Sequence, residues 1–359
     1  ARISNMHTLT QRPPPVVLYG AFNTKTEEYQ SMLKAQYEER GPVPQDLIEA
    51  ISMETPEPGD GEALVEVLAA PINPSDVLTL TGDYGILPPL PAIGGNEGVG
   101  RIADLGPNTS GVEKGQTVLL PVGSGTWSTH ITAMAKDLVP LPGDADPKQL
   151  SMMTINPPTA LLLLREFVDL SEGDWVIQNA ANSGVGGYLI QIAAQRGIRT
   201  LNVVRRESAV AGVDKEGGDV TLVDGPDLPK RVREATGGAD VKLGIDAVGG
   251  DATEHLASCL AEGASVVNYG MMSGKPCQIS PANVVFRDIT LKGFWLARWF
   301  SRASRDEQMK VFGEITQQIA SGRLKARIAG EYDVSRISEA VAAAASGERD
   351  GKILVVPQG

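Results

Sequence analysis

Hydrophobic and polar positions change their period partway along this chain. Between residues 60 and 142 the apolar residues come in short runs, Ala63–Leu68, Val99–Ile102, Thr117–Leu120 and Leu138–Leu141, punctuated by Gly and Pro. Runs of that length between turn residues predict strands and a β-rich domain. From Pro157 onward strand-length runs alternate with helical stripes. A helix is expected over Thr159–Leu170, then pairs of strand and helix: Trp175–Gln178 with Val185–Arg196, Thr200–Val204, Val220–Val223 with Leu228–Ala235, Leu243–Ala247 with Ala252–Ala261, and finally Ser265–Tyr269. Alternating strands and helices predict an α/β fold with a parallel, doubly wound sheet. Arg302–Ala320 and Ser335–Ala345 carry amphipathic stripes, and the apolar run Ile353–Val356 is suited to pair back into the β-rich domain. Nearer the start, residues 1–15 suggest an extended arm and Val16–Tyr19 a short strand. The charged stretch 25–50 suggests a solvated helix over Glu27–Arg40, stopped by Gly41, Pro42 and Pro44.

Length and charge narrow the function. A chain of 359 residues is expected to form two domains. Net charge is 32 − 44 = −12, which disfavours a nucleic-acid backbone as partner. No apolar run is long enough to cross a bilayer, so no membrane partner is expected. Ala1 to Pro15 lacks the apolar centre of a secretory signal. Position 1 is not Met, which leaves processing, trimming or engineering of that end open. The two cysteines, Cys259 and Cys277, cannot build a disulfide framework or a four-cysteine zinc lobe, and both are expected to pack as small apolar groups. His7, His130 and His255 have no metal-binding spacing, and no Gly-x-Ser-x-Gly elbow is present. No metal site is expected.

The candidate chemistry begins at Gln178–Gly187, a Gly-rich turn between a strand and a helix. Small residues here let backbone approach a pyrophosphate, and the helix start offers free N–H groups and a positive dipole end. Asn182, Ser183, Gly184, Val185 and Gly186 are therefore candidate cofactor contacts. A turn without ligand is the alternative for an isolated pattern, but the strand–turn–helix–strand context favours the ligand. About 20 residues further on, where ribose recognition is expected, the second strand ends in Arg205-Arg206-Glu207. An NAD site places an acid there, whereas a 2′-phosphate wants the planar fork of arginine. Arg205 and Arg206 favour NADPH; Glu207 pulls the other way, and an exposed charged loop is the alternative.

Asn73-Pro74-Ser75-Asp76 and Gly95-Asn96-Glu97-Gly98 resemble the substrate-domain signatures of the medium-chain dehydrogenase/reductase superfamily. Where zinc alcohol dehydrogenases carry His, this chain has Asn96, a poor zinc ligand. With Gly82-Asp83-Tyr84-Gly85, Gly125-Thr126-Trp127, Ile155-Asn156-Pro157, Tyr269-Gly270-Met271 and Gly293-Phe294-Trp295, the chain resembles the zinc-free, mitochondrial-type trans-2-enoyl-CoA (enoyl-thioester) reductases from Val16 onward. Residues 25–50 look longer than that family's opening.

The resemblance implies a GroES-like β-rich catalytic domain from 1–154 and 299–359 around a Rossmann NADPH-binding domain at 155–298. It implies NADPH-dependent reduction of the 2,3 double bond of enoyl-CoA or enoyl-carrier-protein, as in fatty acid synthesis. Tyr84 takes the role of acid or enolate stabiliser. Asn156, Tyr269, Gly270, Met271, Met272, Phe294, Trp295, Leu296 and Lys352 become cofactor contacts. Read alone, Tyr84 is a turn residue, Trp295 core packing and Lys352 a surface charge. A homodimer is expected, in bacterial cytoplasm or mitochondrial matrix. Two other functions stay open: NADPH reduction of quinones or free α,β-unsaturated carbonyls, and an NADPH-binding sensor without turnover. Quinone reductases often carry Gly-Gly in the dinucleotide turn, where this chain has Asn182-Ser183-Gly184.

Overall fold

Strand Glu62–Ile72 is the spine of the β-rich half. The computed structural model describes residues 32–347 and 349–357. Val99–Leu105 and His130–Met134 pair antiparallel with Glu62–Ile72, and Thr117–Leu119 and Val139–Pro140 extend the sheet. The C-terminal strand Lys352–Val355 returns to it as its apolar pattern predicts, Ile353 opposite Ile72 and Leu354 opposite Pro71. Ile328–Tyr332 runs parallel to this last strand. Val65, Val67, Ile102, Trp127, Ile353 and Val355 share one apolar core.

The second half is a six-stranded sheet. Taken in chain order, its strands are Trp175–Gln178, Arg199–Val204, Val220–Val223, Val241–Asp246, Ser265–Asn268 and Thr290–Gly293, and their spatial order is 3-2-1-4-5-6. Every pair is parallel. This is the dinucleotide-binding order, with its ligand crevice at the carboxyl ends of the first and fourth strands, where the winding reverses. The turn after the first strand and the loop after the fourth face that crevice. Helix Gly184–Gln195 connects the first two strands, and Leu228–Thr236 and Asp251–Cys259 flank the fourth. Val176, Leu189, Ile192, Leu243 and Ile245 form a core that also takes in Val99 and Leu119 of the β-rich half, so the two halves share buried surface.

Several local expectations need correction. Leu33–Tyr37, expected within a helix, is a strand paired with Ile48–Ser52. Its alternation decides the matter: Lys34 and Gln36 point outward while Ala35 and Tyr37 lie in the core. The segment is therefore not a peripheral solvated feature. Arm 1–15, strand Val16–Tyr19 and His7 lie outside the described residues. The stripe expected over Thr159–Leu170 is helical over Asn156–Leu163, starting earlier because Pro157 fits the first turn. Arg302–Ala320 begins instead at Arg305, where Ser304 and Glu307 form a capping box, with a separate helix at Leu296–Arg302. Helix Pro74–Thr81 goes unread in the apolar pattern because Pro and Ser open it, yet Asn73 and Asp76 cap it reciprocally.

Candidate active site

Each half of the molecule contributes a short motif whose side chains are held from below. In the β-rich half, loop Gly94-Gly95-Asn96-Glu97 lies flat on Trp127. A Cβ on Gly94 would fall 2.2 Å from that indole, and Gly95 has φ +99°, so neither position accepts a larger residue. The close approach buries Glu97 fully. Its carboxylate accepts from Asn73 Nδ2 (2.7 Å) and from the backbone N–H groups of Thr154 and Ile155 (3.0 and 3.1 Å). Glu97 thereby fastens the β-rich half to the residues leading into helix Asn156–Leu163.

Asn73 sits at the centre of this network. Its side-chain oxygen accepts from Asn156 Nδ2 at 3.0 Å and from the Lys352 ammonium. Asp76 accepts the Asn73 N–H (2.7 Å) and Asn96 Nδ2 (2.6 Å). Burial pushes Glu97 well above the ordinary carboxylate range, against the pull of Lys352. Burial raises Asp76 to about 6, opposed by the bonds from Asn73 and Asn96. Burial pushes Lys352 down, with Glu97 opposing. Lys352 is thus a buried group, not the surface charge that is its plain reading. At the position where zinc relatives carry His, the Asn96 amide is already donating to Asp76. Among the described residues no group of three or more His, Cys, Asp or Glu could hold a metal ion.

The dinucleotide turn meets this network directly. Ser183 caps helix Gly184–Gln195, its hydroxyl accepting from Gly186 N (3.1 Å). A Cβ on Gly184 would lie 2.9 Å from Lys352 Cε and 3.3 Å from Asn156 Cγ. Asn156, Gly184 and Lys352, far apart in sequence, therefore converge. A Cβ on Gly186 would fall 2.4 Å from the Ala181 carbonyl, so that glycine is demanded by the backbone. Val185 packs inward with the shared core. Tyr269 lies beside Ser183; burial raises its phenol well above the usual range, with the Ser183 hydrogen bond opposing. Gly270 accepts from Asn268 Nδ2 at 2.9 Å, while Met271 and Met272 are exposed. Arg205 is exposed at the end of strand Arg199–Val204, and Arg206 donates to the Gly347 carbonyl at 3.0 Å. A glycine cradle, a capped helix start and an arginine at the second strand's end are what a phosphate-tagged dinucleotide requires.

Tyr84 follows helix Pro74–Thr81, whose end turns at Gly82 with φ +90°. Its hydroxyl accepts from Trp295 Nε1 at 3.3 Å, and the two rings meet edge to face with centroids 6.3 Å apart. Trp295 lies two residues past strand Thr290–Gly293. The contact carries the phenol to the carboxyl edge of the parallel sheet. Phe294 and Leu296 are half-buried against the shared core, Phe294 edge-on to Phe167.

The buried Asp246, which ends the fourth strand, belongs to none of the motifs that mark the other site residues. One of its oxygens accepts from Asn179 Nδ2 (2.6 Å), Val248 N (2.9 Å) and Gly249 N (3.0 Å), the other from Thr253 Oγ1 (2.7 Å) and Asn268 Nδ2 (3.0 Å). It ties the carboxyl ends of strands one, four and five together. An acid ending an apolar strand was the available signal. Cys259 packs against the neighbouring core, donates to the His255 carbonyl (3.1 Å), and burial raises its thiol to about 12.

Comparison with known proteins adds relatives to this geometry. Residues 59–143 match the family described as alcohol dehydrogenase GroES-like domain, and residues 184–312 the family described as zinc-binding dehydrogenase. The mitochondrial enoyl-[acyl-carrier-protein] reductase of Caenorhabditis elegans is 36% identical over 286 residues, 77% of this chain and 82% of that protein. Among solved structures, the mitochondrial 2-enoyl thioester reductase Etr1p/Etr2p heterodimer from Candida tropicalis matches with TM-score 0.82 and 26% identity, covering 91% of this chain and 99% of that one. The Etr1p complex with NADP and crotonyl-CoA matches over the same shares at TM-score 0.81 and 26% identity. A putative NADPH:quinone reductase from Bacillus thuringiensis matches at TM-score 0.81 and 27% identity, again over 91% and 99%.

Proposed function

The chain belongs to the family of mitochondrial enoyl-[acyl-carrier-protein] reductases within the medium-chain dehydrogenase/reductase superfamily, and on that premise we propose that it reduces the 2,3 double bond of 2-enoyl thioesters with NADPH, using Tyr84 as the acid. The observation that carries this reading is the Trp295–Tyr84 hydrogen bond, which ties a phenol of the β-rich half to the carboxyl edge of the nucleotide-binding sheet.

When bound, NADPH would supply the hydride that adds to the β-carbon. The protein's task is then to stabilise the charge that collects on the thioester oxygen and to deliver a proton to the α-carbon. Tyr84 Oη is suited to both. It accepts from the indole N–H, so its own proton remains to be donated to the substrate, and the indole fixes the phenol's direction. Asn182, Ser183, Gly184, Val185 and Gly186 are assigned to the pyrophosphate, and Arg205 with Arg206 to the 2′-phosphate. Asn156 and Lys352, with Tyr269, Gly270, Met271, Met272, Phe294, Trp295 and Leu296, are assigned to the nicotinamide half and its surroundings. The domain boundaries consistent with this division are 1–154 with 299–359, and 155–298. The buried Asn73–Glu97–Lys352 network supports the assignment by holding Asn156 and Lys352 against the turn.

The thiol carrier is CoA or an acyl carrier protein. A homodimer is supported by the exposed outermost strand Thr290–Gly293 and the neighbouring Val285 and Phe286, which are 67% and 79% exposed. No helix among the described residues is long and apolar enough to cross a membrane, and the mitochondrial matrix is the proposed compartment, after the relatives.

The test is NADPH oxidation against crotonyl-CoA, an enoyl carrier protein and a quinone, wild type beside Tyr84→Phe. Thioester turnover that falls by roughly 100-fold or more in Tyr84→Phe, with NADPH affinity retained, is the expected result. Full thioester activity in Tyr84→Phe removes the phenol from the mechanism. Turnover of quinone alone favours the competing activity.

A further inference from the structure

We propose that Arg327 is a positioning residue of the dinucleotide site: it neutralises the carboxylate of Glu216 beside the Asn182–Gly186 turn and fixes the segment that carries Lys352. The proposal rests on the NADPH reading of that turn.

Lys325-Ala326-Arg327 bridges the two halves, and each of its peptide groups is held. Gln191, on helix Gly184–Gln195, donates to the Lys325 carbonyl and accepts from Lys325 N, both at 2.9 Å. Gln149, on helix Pro147–Leu150, does the same for Ala326 at 3.1 and 2.8 Å. The Arg327 carbonyl accepts from Lys352 N at 2.7 Å. Gly351 passes so close that a Cβ there would fall 2.7 Å from this carbonyl. The backbone of Lys352 is thereby set by the strap, and its side chain reaches Gly184.

The Arg327 side chain holds two carboxylates. Its Nε pairs with Glu216 Oε1 at 2.7 Å, and Nη1 pairs with Asp350. Glu216 is only 12% exposed and stands against the first turn of the nucleotide helix, its Cδ 3.7 Å from where a Cβ on Gly187 would lie. Asn182, Ser183, Gly184, Glu216, Arg327 and Lys352 line one pocket. A nearly buried carboxylate beside a diphosphate site repels the ligand unless a cation offsets it. Arg327 is that cation. Gln191 Nε2 also donates to Glu216 Oε2 at 3.0 Å, but a neutral amide cannot cancel the charge.

This assignment makes the two partners unequal, which a merely structural ion pair would not be. The experiment is NADPH titration by fluorescence, with melting temperature and KM for crotonyl-CoA measured alongside, for wild type, Arg327→Gln, Glu216→Gln and the double variant. Arg327→Gln is expected to weaken NADPH binding by roughly fivefold or more, with little change in KM for crotonyl-CoA at saturating NADPH. Glu216→Gln is expected not to weaken NADPH binding, and adding it to Arg327→Gln restores part of the loss. Arg327→Lys, which keeps the charge and loses the fork, falls between and serves if Arg327→Gln does not fold. Equal losses in both single variants, with no recovery in the double, would overturn the proposal. So would an unchanged NADPH affinity in Arg327→Gln. Absence of NADPH binding by the wild type would remove the cofactor reading itself, and this proposal with it.

Discussion

Asp246 shows how much a single side chain organises here. Burial alone would raise its pKa, yet the bonds from Asn179, Thr253, Gly249 and Asn268 together hold it below the ordinary carboxylate range. A depressed folded-state pKa means stabilisation that is present above the unfolded value and lost as pH falls through the folded one. Urea unfolding followed from pH 7 down to pH 3 should therefore show wild type losing stability most steeply below about pH 4. Asp246→Asn turns an N–H donor toward donors already in place. It should cost about 3 kcal/mol at pH 7 and flatten the acid limb. An unchanged acid limb would show that the carboxylate is not what holds the strand ends.

Much of this was hidden at the residue scale for a plain reason. Asn73 meets Glu97 across 24 positions, Asn156 across 83 and Lys352 across 279. No local period reports such contacts. Tyr84 and Trp295, 211 positions apart, were named only through a family resemblance; as isolated residues they have ordinary roles in a turn and a core. Lys352 was legible as a candidate, but its burial was not.

Among the elements, the first five strands of the parallel sheet are legible because short apolar runs mark them, Val220–Val223 at both ends; the sixth, Thr290–Gly293, is exposed and carries no such run. Leu33–Tyr37 was not legible either, because charged neighbours masked a two-residue alternation whose buried members include the small Ala35. Helix Gly184–Gln195 and its turn show what the glycines do. Gly186→Ala would drive a Cβ into the Ala181 carbonyl, which is backbone and cannot step aside. Gly184→Ala meets side chains instead, those of Lys352 and Asn156, which the bonds to Asn73 hold in place. Thermal melting should show Gly186→Ala lowered by several degrees, on the order of 2 kcal/mol, with NADPH binding lost. Gly184→Ala should melt above Gly186→Ala, since side chains can shift where backbone cannot, and lose NADPH affinity. Equal melting of the two variants would contradict this division.

For the whole molecule, two halves that share one apolar core are also fastened by buried polar groups. Glu97 reaches the backbone entering helix Asn156–Leu163, Asn73 bridges Asn156 to Lys352, and Trp295 binds Tyr84. Each link carries a side chain of the β-rich half to the carboxyl edge of the parallel sheet, where the winding order predicts a ligand. The cleft is thus built by both halves, one assigned to hold NADPH and the other to present an acid to an enoyl thioester. The most direct measurement of this account is deuterium transfer from NADPH deuterated at both positions of nicotinamide C4, with crotonyl-CoA as acceptor and the product read by mass spectrometry and NMR. The account predicts butyryl-CoA carrying one deuterium at C3, and the proton at C2 drawn from solvent. Label confined to C2, or oxidation of NADPH without any labelled acyl product, would contradict it.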